Sequence, residues 1–284
     1  MITSFKGGVG KSTVAVNIAV GLAVGRHKVL IIDLDAASGS IDLFMGCEHD
    51  ALYNFCDVAE KKVNIQDAVY IKKAKLRRKR AGANPGPDAP AEEFYYTLDV
   101  LKAPPSYDFS VPFEKAVGEF IEETKELYDF IIFDCPSGKF SLFEILAKKA
   151  DLIFVVTLHS AASVRSAEKL ALVLSEQGSR GENVRLVINC FNPRGVSRGL
   201  NLGIVEIIER SKIKLIGIIS INNIIRDCQE LGKTAYDLRN LKIRKSFDDM
   251  IGRILDNNVI LSKKYDGVKT NNLYFKKGTT NDIK

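Results

Sequence analysis

The sequence predicts an α/β fold, a mostly parallel twisted sheet with helices on both faces. Three observations predict it. Continuous apolar runs at residues 28–33, 130–134, 152–156, 184–189 and 215–219 have the length of strands buried on both faces. Segments with apolar residues at helical spacing lie among them, near 112–127, 140–149, 163–177 and 203–211. A glycine-rich turn at residues 6–10 joins the first short strand to the first helix. Alternation of this kind specifies a sheet whose ligands gather beyond the carboxyl ends of its strands.

The elements follow in order. Residues 1–4, Met-Ile-Thr-Ser, form a β-type run that enters the glycine turn. Residues 12–24 follow as a helix, with Val16, Ala19, Val20 and Ala23 at helical spacing. The apolar run 28–33 then closes a βαβ unit with parallel strands. A further strand is expected at 98–101, ahead of the alternating helices and strands from 112 to 219. Residues 81–93 combine three prolines with glycine and small residues and read as a flexible surface excursion. Just before it Lys72, Lys73, Lys75, Arg77, Arg78, Lys79 and Arg80 carry seven positive charges, so outside them the chain is nearly neutral against a net charge of +6. Periodicity fades after about residue 258, so we expect one domain over 1–258, with a basic, proline-rich excursion at 72–93, and a tail over 259–284.

Composition narrows the class. A chain of 284 residues with 46% hydrophobic content can bury one sizeable core, and 27% charged residues is ordinary for a folded protein. No run approaches the ~18 apolar residues of a membrane span, and the first residues lead straight into the glycine turn, unlike a signal peptide. A cytoplasmic location is expected. Cys47, Cys56, Cys135, Cys190 and Cys228 are scattered and form no C-x-x-C pair, which argues for reduced thiols and against a disulfide framework or zinc site.

The chemistry concentrates in the turn and at the strand ends. Gly7, Gly8 and Gly10, with Val9 between them, let backbone N–H groups face inward around phosphate oxygens, and the helix beginning near Lys11 adds its positive end. In that setting Lys11 reaches the β and γ phosphates, the Ser12 hydroxyl ligates Mg²⁺, and Thr13 completes the nucleotide-binding string. The first glycine of the general G-x-x-x-x-G-K-[ST] pattern would fall on Phe5, so the strict pattern is not met. Asp33-Leu-Asp35 follows the second strand and Asp134-Cys-Pro-Ser-Gly138 a later one. Each puts a carboxylate where it could hold Mg²⁺, its waters or an attacking water, with a strand-end cap as the alternative for Asp33. Asn189 ends a buried strand, where an ordinary turn residue would also serve.

Lys6-Gly-Gly-Val-Gly-Lys11-Ser12-Thr13 resembles the deviant Walker A motif of the MinD/ParA family of P-loop ATPases. Asp42-Leu-Phe-Met-Gly-Cys-Glu48, Ser163-Val-Arg-Ser-Ala167 and Asn192-Pro-Arg-Gly-Val-Ser-Arg-Gly199 extend the likeness over roughly residues 1–255, more toward bacterial MinD proteins than plasmid-partitioning ParA proteins. The resemblance implies a P-loop fold that binds ATP and Mg²⁺. It implies an ATP-dependent homodimer reset by slow hydrolysis, with Lys6 reaching across to the partner's nucleotide. By the same resemblance Asp35 belongs to switch I, Asp134 and Gly138 to the Walker B and switch II segment, and Asn189 to the loop that reads the adenine edge. Hydrolysis would rest on Lys6, Lys11, Asp35 and Asp134, and Mg²⁺ on Ser12, Asp33 and Asp134. Protein regulators are implied, such as a division inhibitor or an ATPase activator, as is attachment to the inner face of the membrane in placing the division site. Positioning of flagella or DNA, or a nucleotide-binding adaptor without turnover, are the alternatives.

Two segments depart from that family. Residues 259–284 offer only Leu273, Tyr274 and Phe275 beside Lys276 and Lys277, with no apolar helical face for insertion into a bilayer. The basic excursion at 72–93 is either a solvated loop or a contact for anionic lipid, with nucleic acid the less favoured partner. Cys135 and Cys190 match no cluster-ligation pattern, which sets aside an electron-transfer relative of the nitrogenase iron protein. Only Tyr265 and Tyr274 lie beyond residue 250, too few for a tyrosine-kinase tail.

Overall fold

The computed structural model describes residues 1–48, 52–78, 92–106, 111–179, 182–238, 241–255, 257 and 259. The centre of the 72–93 excursion and nearly all of the 259–284 tail lie outside these residues. The chain begins with β1 (Ile2–Ser4), α1 (Lys11–Val24), β2 (Val29–Asp33) and three short helices, α2 (Ile41–Met45), α3 (Phe55–Ala59) and α4 (Ile65–Ala68). It continues through β3 (Tyr70–Arg78), β4 (Glu92–Leu101), α5 (Val111–Thr124), β5 (Phe130–Ser137), α6 (Phe143–Lys149), β6 (Ile153–Thr157) and α7 (Ala161–Glu176). The last part holds β7 (Val184–Phe191), α8 (Pro193–Ser197), α9 (Ile204–Ser211), β8 (Lys214–Ser220), α10 (Asn223–Gln229) and α11 (Leu241–Ile254).

Among the described residues the strands make one eight-stranded sheet in the order β3-β4-β2-β5-β1-β6-β7-β8, parallel throughout except for the β3–β4 pair. The mostly parallel α/β architecture of a P-loop NTPase is therefore present. β2 and β6 are buried at every position, as their unbroken apolar runs predict. Successive side chains of a strand point to opposite faces, so β2 feeds two cores. Leu30 and Ile32 join α3, α5, α6, α7 and α9 on one side, while Val29 and Ile31 join α1, α2, α10 and α11 on the other. No described helix is long and apolar enough to cross a membrane.

α1 is buried at every residue from Val14 to Ala23. Its tightest point is Gly21, where a Cβ would stand 2.2 Å from Ile251 Cδ1 and 2.3 Å from the Tyr236 hydroxyl. The first βαβ unit is parallel as expected, but its strands are not neighbours. β5 enters between β1 and β2, and its register sets Asp134 beside both Asp33 and Ile2.

The basic window is where the sequence reading needs revision. Residues 72–78 form most of β3, an edge strand paired antiparallel to β4, and the strand expected at 98–101 begins at Glu92. Periodicity around the lysines and arginines hid this strand, because alternating charge on an edge is not an apolar signal. The backbone register sets position 77 opposite 93 and position 78 opposite 92. Lys72 donates from Nζ to the Met45 carbonyl at 2.6 Å, while Lys73 is exposed.

Candidate functional site

The glycine turn is built by backbone conformations that side chains resist. Gly8 has φ 71° and Gly10 φ 89°, both left-handed. A Cβ at Gly10 would lie 2.2 Å from Asn189 Nδ2, so the turn closes only over glycine. The same Nδ2 donates to the Val9 carbonyl at 2.8 Å, and Asn189 Oδ1 accepts from the Cys190 amide at 2.9 Å. Asn189, for which the sequence suggested the adenine edge, here ties the end of β7 to the glycine turn across β6.

α1 starts directly behind Gly10 with no side-chain cap and no acidic residue in its first turn. Its leading N–H groups and positive end are left to an anion, which is what a phosphate requires. Lys11 is buried and donates from Nζ to Ser137 Oγ at 2.7 Å, so the ammonium rests on the carboxyl end of β5. Gly138 N donates to the Ser4 carbonyl at 2.9 Å and fastens that end to the entry of the turn. Lys6 is half-buried, and its carbonyl accepts from Ser4 Oγ at 2.8 Å.

Asp134 is 1% exposed, and neither of its carboxyl oxygens has a hydrogen bond of ordinary geometry among the described residues. Burial above all, and then the neighbouring charge of Asp33, push its pKa up to about 8. The Ser12 hydroxyl and Lys11 act the other way, Ser12 being near enough to favour the charged form without completing such a bond. An orphaned carboxylate beneath the turn, beside a hydroxyl and an ammonium, fits Mg²⁺ with its nucleotide. Among the described residues no group of three or more acidic, histidine or cysteine side chains could hold a metal alone. A Mg²⁺ here would take Ser12 and the Asp134 side from the protein and its remaining ligands from phosphate and water.

Asp33 is equally buried but fully engaged. Its Oδ1 accepts from Asp35 N at 2.8 Å, and its Oδ2 from Ser40 N at 2.8 Å and Ile41 N at 3.0 Å. Burial raises its pKa to about 6 against the pull of those three amides. The geometry is that of a clasp on residues 34–41, so the cap alternative describes its contacts. Asp35 is half-buried in that clasped turn, and its Oδ1 accepts from Ser38 N at 3.2 Å.

Thr13 donates its hydroxyl to Gln229 Oε1 at 3.1 Å. Sequence reasoning missed Gln229, which carries no local signal, and passed over Ser137 although it sits in the Asp134–Gly138 string. Cys135 is buried and its thiol pKa is pushed up by burial, so it stays a protonated core residue.

Comparison with known proteins places the chain in a family. The family model described as the CobQ/CobB/MinD/ParA nucleotide binding domain matches residues 1–235. The septum site-determining protein MinD of Escherichia coli K12 is 28% identical over 262 residues, covering 90% of each chain. Its counterpart from Helicobacter pylori is 30% identical over 224 residues, 77% of this chain and 76% of that one. Among solved structures, the MinC:MinD cell division protein complex of Aquifex aeolicus superposes with a TM-score of 0.75 at 25% identity, covering 92% of this chain and 97% of that chain.

Proposed function

The chain belongs to the CobQ/CobB/MinD/ParA nucleotide-binding family, and from that membership we propose that it is a Mg-ATP-driven positioning switch. It binds ATP, pairs with a second copy in the ATP state, and resets by slow hydrolysis. The observation that carries the reading is the unpartnered, buried Asp134 carboxylate beneath a glycine turn that also presents Lys11 and Ser12.

In this reading the turn amides and the N-terminus of α1 bind the phosphates, and Lys11 leaves Ser137 to neutralise their β and γ charge. Ser12 and Asp134 hold the Mg²⁺, with Asp33 contributing through the turn it clasps. Mg²⁺ supplies charge neutralisation across the phosphates when bound. Asp35 orients the attacking water, and Lys6 reaches the nucleotide of the partner copy. The ATPase domain spans 1–258 and the tail 259–284.

The relatives named for septum-site determination favour placement of the division site, with a division inhibitor and an ATPase activator as partners. A cytoplasmic protein that visits the inner face of the membrane would serve that role. Positioning of another cargo is the second reading, favoured by the absence of an apolar face in the 259–284 sequence. The test is ATP turnover by the purified chain with and without anionic vesicles and a candidate activator. Mg-dependent hydrolysis that rises with an activator is the expected result, and nucleotide binding without turnover would make the chain an adaptor.

A further inference from the structure

We propose that Gln229 is a positioning residue for the phosphate turn, acting through the Thr13 hydroxyl. The proposal rests on the nucleotide reading of that turn. Gln229 ends α10, far from the turn in sequence, and is 5% exposed. Its Oε1 accepts the Thr13 hydroxyl at 3.1 Å, while its Nε2 is buried without a partner among the described residues. Thr13 is held at a second point from the same direction. Asn17 Nδ2 donates to the Thr13 carbonyl at 2.8 Å, and Asn17 Oδ1 accepts from Ala235 N at 2.8 Å. The Thr13 hydroxyl is therefore held directly by Gln229, and its carbonyl by Asn17 of α1, whose own side chain is fixed by Ala235 N.

The grip is itself anchored. Gly232, at φ +63°, packs backbone to backbone on Gly46, and a Cβ there would stand 2.7 Å from Gly46 Cα. Gly46 caps α2, whose first amide, Ile41 N, is clasped by Asp33. Residues 229–235 thus connect the phosphate turn to the segment that holds Asp35.

Stability does not account for Gln229. A buried amide with its nitrogen unpaired is less stable than an apolar side chain of similar volume in the same place. What the glutamine adds is the acceptor that orients Thr13, one residue beyond Ser12 in the turn that faces the phosphates.

The test uses Gln229→Met, Thr13→Val and the double variant in the full chain, read by thermal unfolding without nucleotide and by calorimetric titration with Mg-ATP. Gln229→Met is expected to unfold at the parental temperature or above it while binding Mg-ATP about five- to tenfold more weakly, the loss of one oriented hydrogen bond. Thr13→Val should lose a similar factor, and the double variant no more than the worse single one. Parental affinity in Gln229→Met overturns the proposal, as do losses that multiply in the double variant. If Gln229→Met loses both stability and affinity, the same cycle decides. A parent chain that binds no Mg-ATP overturns the nucleotide reading and removes the positioning role with it.

Discussion

Lys11 and Asp134 lie under one turn, and each predicts a different behaviour. If Lys11 neutralises the β and γ phosphates as proposed, Lys11→Ala should abolish Mg-ATP binding. Unchanged affinity in calorimetry would reject the assignment. Asp134 ionises near 3.8 when exposed and near 8 in the folded chain, chiefly because burial penalises its charge. Between those values the folded state holds a proton that the unfolded state has released, so the stability of the nucleotide-free protein falls as pH rises through that window. Asp33, raised to about 6, adds to the loss over the lower part of it. Asp134→Asn should therefore unfold at a higher temperature than the parent at pH 8, with the gap closing toward pH 4. Mg²⁺ needs the ionised carboxylate, so Mg-ATP binding at pH 7 should release protons. Binding enthalpies that do not vary among buffers of different ionisation enthalpy would contradict that expectation.

At the scale of elements, the fold depends on a few places where backbones meet. Gly232→Ala combines a left-handed φ with a Cβ 2.7 Å from Gly46 Cα, and should cost about 1–3 kcal/mol, read as a lower thermal midpoint. An unchanged midpoint would mean that α2 and α10 are not locked together. α3 depends on a reciprocal cap, with Asn54 Oδ1 accepting from Cys56 N at 2.9 Å and Asp57 Oδ2 accepting from Asn54 N at 3.0 Å. The cap starts a helix whose first residue, Phe55, is fully buried against Phe113 and Phe120. Asn54→Ala should cost about 1 kcal/mol in denaturant unfolding. The β3–β4 ribbon is an element of a different kind, the one antiparallel pair of the described sheet and its β3 edge.

For the whole molecule the expectation is association governed by nucleotide. If Lys6 reaches the partner's nucleotide as proposed, Lys6→Ala should keep much of its ATP binding and lose ATP-dependent dimerisation in sedimentation. A dimer of normal stability would count against that role. Asp35→Ala should accumulate the ATP-bound dimer, since a lost water-positioning carboxylate slows cleavage more than binding. Attachment to anionic vesicles can be assigned by comparing charge-neutralising changes across residues 72–80 with deletion of residues 265–284. If the ribbon is the contact, salt should weaken binding steeply and the deletion should change little.

The sequence by itself determined the parallel α/β class, the strand–turn–helix at the start, and the acidic strand ends. Each of these is written in neighbouring residues: unbroken apolar runs, glycines that permit left-handed backbone, and helical spacing. The apolar stripe Ile243, Phe247, Met250, Ile251 and Ile254 was legible in the same way, although α11 was not predicted. Only the tertiary structure decided which strands are neighbours. By inserting β5 between β1 and β2 it placed Asp134 beside Asp33 and beneath Lys11, and so raised the pKa of a carboxylate whose neighbours in sequence say nothing of burial. It also turned Asn189 onto the glycine turn, gave Asp33 to the backbone of residues 34–41, and brought Gln229 to Thr13 across 216 positions of chain. Contacts of that range follow from how two helical layers pack on one sheet, and packing is a property of the assembled whole that no local pattern records.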